Sequence, residues 1–183
     1  GTFTRTGYTL SGWATTTTGA VAYATNASPT FTAATSLYAV WTAVSYVVTW
    51  DSQSGSAVAN TSYTVVTGVA DPGSPTRTGY TFQGWFLASS GGSALLFPYF
   101  PASPYGAKTF YAQWTANTYT VTWDTGAGAS AVTSPASYVA DGSISSPSAP
   151  TLSGYTFVGW YASRSSLTSG TTVQSFPQTP ASQ

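Results

Sequence analysis

Apolar and polar residues alternate along this chain in short bursts. Tyr119, Val121 and Trp123 alternate with Thr118, Thr120 and Thr122, a period of two that turns the aromatic set toward a core and the threonines toward water. Tyr46, Val48 and Trp50 show the same pattern earlier in the chain. Asp51 to Gly55 then reads as a turn, and Tyr63 with Val65 begins a return strand. Near the start, Tyr8 and Leu10 oppose Thr9 between Gly7 and Gly12, and Leu37, Ala39 and Trp41 mark a further strand with an inward apolar face. The stretches between are turn chemistry. Thr15 to Gly19 is a loop, and Asp71-Pro72-Gly73-Ser74-Pro75 holds too much proline for a central strand. From Ser89 to Lys108 the one apolar cluster is Leu95, Leu96 and Phe97, where Pro98, Pro101 and Pro104 limit any helix to a short turn. The pattern predicts a mostly β protein.

The bursts repeat. Gly154-Tyr155-Thr156-Phe157-Val158-Gly159-Trp160 matches Gly79-Tyr80-Thr81-Phe82-Gln83-Gly84-Trp85, and both match Gly7-Tyr8-Thr9-Leu10-Ser11-Gly12-Trp13 near the start. Leu37-Tyr38-Ala39-Val40-Trp41 likewise recurs as Phe110-Tyr111-Ala112-Gln113-Trp114. Self-similarity at a fixed period, here about 73 residues, identifies tandem modules. The expected division is the C-terminal part of a first repeat over 1–43, a complete second repeat over 44–116, and the N-terminal part of a third over 117–183. Four residues separate Trp41 from Tyr46, a link of at most about 17 Å, so little freedom remains between modules. The first copy shows no preceding Tyr-x-Val-x-Trp hairpin and the third no closing Tyr-Ala-x-Trp strand. That arrangement predicts a linear assembly, completed by neighbouring repeats of a longer polypeptide or by copies of itself packing head to tail.

Composition explains how such small modules fold. There is no cysteine to staple them, while aromatics make up 16% of the chain. One buried ring covers roughly 150–250 Å², an upper limit of about 4–6 kcal/mol before entropy. All seven tryptophans lie in the repeated motifs. The expected repeat core is Tyr8, Trp13, Trp41, Trp50, Tyr80, Phe82, Trp85, Trp114, Trp123, Tyr155, Phe157 and Trp160. Tyr99, Phe100 and Tyr105 sit among prolines without periodicity and are the candidate exposed contacts.

Charge is scarce, at 4% of residues, with four basic and four acidic side chains. No basic patch is available for nucleic acid, and no apolar run in this segment reaches the roughly 18 residues of a membrane helix. A coat of Thr, Ser, Asn and Gln fits an extracellular or cell-surface location. Catalytic parts are missing as well: without His, Cys, Glu or Met, a Ser or Thr nucleophile has no usual base. No cofactor or metal is expected. The aspartates Asp51, Asp71, Asp124 and Asp141 are scattered, and read as turn caps rather than calcium ligands. Thr118, Thr120 and Thr122 have the spacing of an ice-binding face, but Val47 interrupts the equivalent face of the earlier copy. Lys108, the one lysine, leaves little material for an isopeptide crosslink to Asn117 beside Asp124.

Three motifs in fixed order carry a family resemblance across essentially the whole chain: Tyr119-Thr120-Val121-Thr122-Trp123-Asp124, the run from Pro150 to Tyr161 and Phe110-Tyr111-Ala112-Gln113-Trp114. The chain resembles the Listeria and Bacteroides repeat, also called the internalin B-repeat. That resemblance implies tandem β-grasp-like modules of bacterial surface proteins and adhesins. The chain departs from the family pattern in its low charge and in Leu152, which stands where a basic residue is usual. The function expected is a non-enzymatic structural segment, an adhesin stalk or filament component in an elongated array, touching host or matrix polysaccharide or protein. The alternative is a carbohydrate-binding module that uses exposed aromatics.

Overall fold

The computed structural model describes residues 3–132 and 137–161; the last part of the expected third repeat, with Arg164, lies outside them. The described residues form eight strands and no helix: β1 (Tyr8–Ala14), β2 (Tyr38–Ala43), β3 (Tyr46–Asp51), β4 (Thr61–Tyr63), β5 (Tyr80–Phe86), β6 (Lys108–Ala116), β7 (Thr118–Thr120) and β8 (Ser137–Val139). The apolar trio Leu95 to Phe97 is therefore irregular chain, in keeping with the prolines around it.

The second repeat forms a four-stranded sheet in the order β4-β3-β6-β5. Its two central strands run parallel, with Trp50 beside Phe110 and Asp51 beside Tyr111, and β4 returns antiparallel on β3. This is a β-grasp strand order with an irregular, Pro-rich connection in place of a helix. The first repeat contributes the antiparallel pair β1-β2, with a bulge between Leu10 and Gly12, and the third contributes the antiparallel pair β7-β8.

Two sequence expectations are corrected in detail. Tyr63 ends β4 rather than beginning a strand. The Thr64 hydroxyl accepts from the backbone N–H of Val66 and of Thr67, at 3.2 and 3.1 Å. That local turn competes with the sheet for the backbone. The hairpin opening the third repeat is shorter than the alternation predicts, because β7 covers only Thr118–Thr120 and all three residues are exposed. Its one strand partner among the described residues is β8.

Tertiary contacts divide the chain into two units, 1–75 with 83–113, and 76–82 with 114–183. In the first, Val48, Tyr63, Val69, Trp85, Phe110 and Ala112 are buried. The Trp50 ring lies 4.8 Å from Trp85 and 5.2 Å from Phe110. In the second, Trp160 is buried, 4.8 Å from Trp123, and Phe82 packs on Trp114 at 5.3 Å. The Trp pair recurs at one spacing, with interplanar angles of 60° and 57°. This is the geometric counterpart of the repeated motif.

Candidate functional site

Each copy of the Gly-Tyr motif is entered by the same turn. The N–H groups of Tyr8, Tyr80 and Tyr155 donate to the carbonyls of Arg5, Arg77 and Leu152 at 3.0, 3.0 and 3.1 Å. The third residue of each turn is Gly7, Gly79 or Gly154, at φ 79, 80 and 79°. A turn that needs positive φ at its third residue takes glycine there because a Cβ would be strained. In the first two copies the turn also folds its arginine over its tyrosine, with the guanidinium carbon 3.8 Å from the Tyr8 ring centre and 3.6 Å from that of Tyr80. Such stacking contributes about 0.5–1 kcal/mol at exposed sites.

The first two of these turns sit where one repeat meets the next. Within the first unit, the Val44 N–H donates to the Gly7 carbonyl at 2.9 Å. Gly7 lies so close to Val65 and Tyr105 that an added Cβ would fall 2.4 Å from Val65 Cγ1. Tyr46 packs between Tyr63 and Tyr105, at 5.4 and 6.2 Å. Within the second unit, the Asn117 N–H donates to the Gly79 carbonyl at 2.8 Å, and the Ala140 N–H donates back to the Asn117 carbonyl at 2.9 Å. A Cβ at Gly79 would fall 2.9 Å from that of Ala140. Tyr119 stacks on Tyr138 at 5.3 Å.

A carboxylate joins the second of these junctions. The Tyr80 hydroxyl donates to Asp141 Oδ2 at 2.5 Å, and Arg77 Nη2 lies 3.7 Å from the same oxygen. The hydrogen bond to Asp141 holds the Tyr80 phenol above its ordinary pKa, with desolvation and the carboxylate charge adding to the shift and Arg77 opposing it. Asp141 adopts φ 59° and corrects the reading of all four aspartates as turn caps. Asp51, Asp71 and Asp124 do cap turns, each accepting from the backbone N–H two residues on, at 2.9 Å. Among the described residues no three His, Cys, Asp or Glu side chains converge as metal ligands.

The aromatic residues named as core divide into three groups. Trp50, Trp85 and Trp160 are buried. Tyr8, Trp13, Trp41, Tyr80, Phe82, Trp114 and Trp123 are half-buried. Tyr155 is 77% exposed, which corrects its inward assignment; Phe157 is partly exposed and packs edge-on against the buried Trp160 at 5.3 Å. Residues 155–160 pair with no strand among the described residues, and Leu152 offers no guanidinium to cover Tyr155. Of the candidate exposed contacts, Phe100 is 54% exposed. Tyr99 and Tyr105 are half-buried instead: Tyr99 bridges Val69 and meets Phe110 edge-on at 5.6 Å, and Tyr105 flanks Gly7. The pairing of Arg-Thr-Gly-Tyr with the following hairpin was missed by sequence reasoning, although the tetrapeptide stands at Arg5 and again at Arg77.

A recurring β module, a recurring junction and a recurring Trp pair define a tandem-repeat protein. The chain belongs to the Listeria-Bacteroides repeat domain family, whose model matches residues 1–40, 46–113 and 119–181. Internalin H of Listeria monocytogenes is 40% identical over 93 residues, which are 51% of this chain and 16% of internalin H. A protein of Evansella cellulosilytica described as a Gly-rich membrane protein is 31% identical over 163 residues, 87% of this chain and 18% of its own length. Another from that organism, described as a membrane protein, is 30% identical over 125 residues, 68% and 18% of the two chains. The chain thus spans less than a fifth of each of these relatives. No solved structure matches it.

Proposed function

We propose that this segment is a non-catalytic spacer of a bacterial surface protein, part of an adhesin stalk or filament, in which each repeat seats the turn of the repeat before it. The observation that carries this reading is the repeated junction: a Gly turn carbonyl accepts from the linker N–H at both Val44 and Asn117. The links are short. Only Val44 and Ser45 separate β2 from β3, and only Asn117 separates β6 from β7. Short, hydrogen-bonded links fit a spacer role within an array of repeats. The names of the relatives, an internalin and two membrane proteins, support a cell-surface location. Small-angle scattering should show an elongated particle; a pair-distance distribution of a compact globule would sink the proposal.

The exposure of Tyr155 and Phe100 supports a second reading, a polysaccharide contact through bare aromatic faces. Sugar binding there predicts ring-resonance shifts at Tyr155 or Phe100 on titration across a glycan panel, and unmoved resonances eliminate it.

A further inference from the structure

The two junctions seat the same tetrapeptide with different side chains. Counting back from the Gly-Tyr motif aligns Val65 and Val66 with Ala140 and Asp141, and the linker residue Val44 aligns with Asn117. At the first seat the turn glycine lies against Val65 and Tyr105, with no charged side chain among these neighbours. The second is polar: Asn117 Oδ1 accepts from the Thr81 hydroxyl at 2.6 Å, while Asp141 takes both the Tyr80 hydroxyl and the Arg77 guanidinium. Arg77, stacked on Tyr80, presents its charge from one side, and the phenol presents its proton from the other. Asp141 reaches both because it occupies the left-handed region that Asp and Asn tolerate best among side-chain-bearing residues. The surrounding residues 76–82 belong by their contacts to the unit that holds the third repeat, so this turn is bound more by the repeat that follows it than by its own.

We propose that Asp141, three residues after the second hairpin tyrosine of the third repeat, is the specificity residue by which that repeat recognises the Arg-Thr-Gly-Tyr turn of its predecessor. Its partner is thus a repeat of this family that presents a stacked Arg-Tyr pair, and Asp141 turns an otherwise apolar seat into a polar latch. The proposal rests on the repeat-array reading above, but a different signal tests it.

The test uses the whole chain with ¹³C-labelled tyrosine rings. Asp141→Asn keeps the left-handed backbone and removes the charge. It should bring the Tyr80 titration midpoint down to the ordinary tyrosine range near 10. It should also speed amide exchange at Asn117 about 1.5- to 5-fold, the range measured for exposed ion pairs. A Tyr80 midpoint that stays where it was in Asp141→Asn overturns the proposal, even if exchange at Asn117 quickens, because Asp141 would then act only as a turn residue. Scattering on the same samples separates the two claims: a compact particle sinks the spacer reading, whereas the latch stands or falls on Tyr80.

Discussion

Replacing Trp85 by alanine probes the core of the second repeat most directly. Trp85 is 2% exposed, meets Trp50 edge-on at 4.8 Å and donates from Nε1 to the Gly73 carbonyl at 3.0 Å. Truncating a buried Trp costs about 3–5 kcal/mol in lost transfer energy and residual cavity. The hydrogen bond adds little, because Gly73 is exposed and its carbonyl can turn to water. Against a total of about 5–15 kcal/mol for a domain, that loss leaves the module marginal. At about 4–8 °C per kcal/mol for a unit of this size, the melting midpoint should fall by about 12 °C or more. Trp85→Phe should cost less, about 1–2 kcal/mol, since most of the ring remains and the bond to Gly73 is lost. The assay is thermal unfolding by near-ultraviolet circular dichroism, with hydrogen exchange at the Val48 and Phe110 amides reporting the second repeat. A midpoint and exchange rates unchanged in Trp85→Ala would refute the argument that this ring holds the core.

The turn glycines should separate by what lies above them. Gly154→Ala meets nothing within 4 Å and should cost only the positive-φ strain, about 1 kcal/mol, whereas Gly7→Ala also runs into Val65 and should cost about 2–3 kcal/mol in thermal melts. Equal losses at both sites would remove the claim that Gly7 is held against the following hairpin. Tyr155→Ser, at a ring 77% exposed, should change stability by less than about 0.5 kcal/mol, whereas Tyr63→Ala, at a ring 1% exposed, should cost about 3–5 kcal/mol; denaturant titration compares them. Because the Tyr80 pKa is raised in the folded state, the stability it contributes is complete below about pH 10 and is lost as pH rises through the folded value. In Asp141→Asn this contribution should vanish, seen as loss of the difference between wild-type and variant melting midpoints above that pH.

The sequence by itself determined the features that depend on neighbours a few residues away. Positive φ at Gly7, Gly79 and Gly154 follows from one turn written three times, and the recurring Trp pair follows from a strand motif and a Gly-Trp motif repeated in the same order. The all-β class was legible for the same reason, since period-two alternation and the prolines after Phe97 are local signals. Tertiary structure decided what alternation cannot encode, namely which partner covers each face. Tyr155 and Tyr80 occupy the same place in the same motif, yet Tyr80 lies under Arg77 beside Asp141 while Tyr155 stands bare beside a turn that carries Leu152. Tyr99 and Tyr105 look like loop residues in the chain, and become half-buried because Val69, Phe110 and Tyr46 come to them from elsewhere in the sequence. Asp141 is the clearest case. Its local sequence reads as a turn, whereas its partners Tyr80 and Arg77 belong to the preceding copy of the Gly-Tyr motif, a separation along the chain that only folding closes.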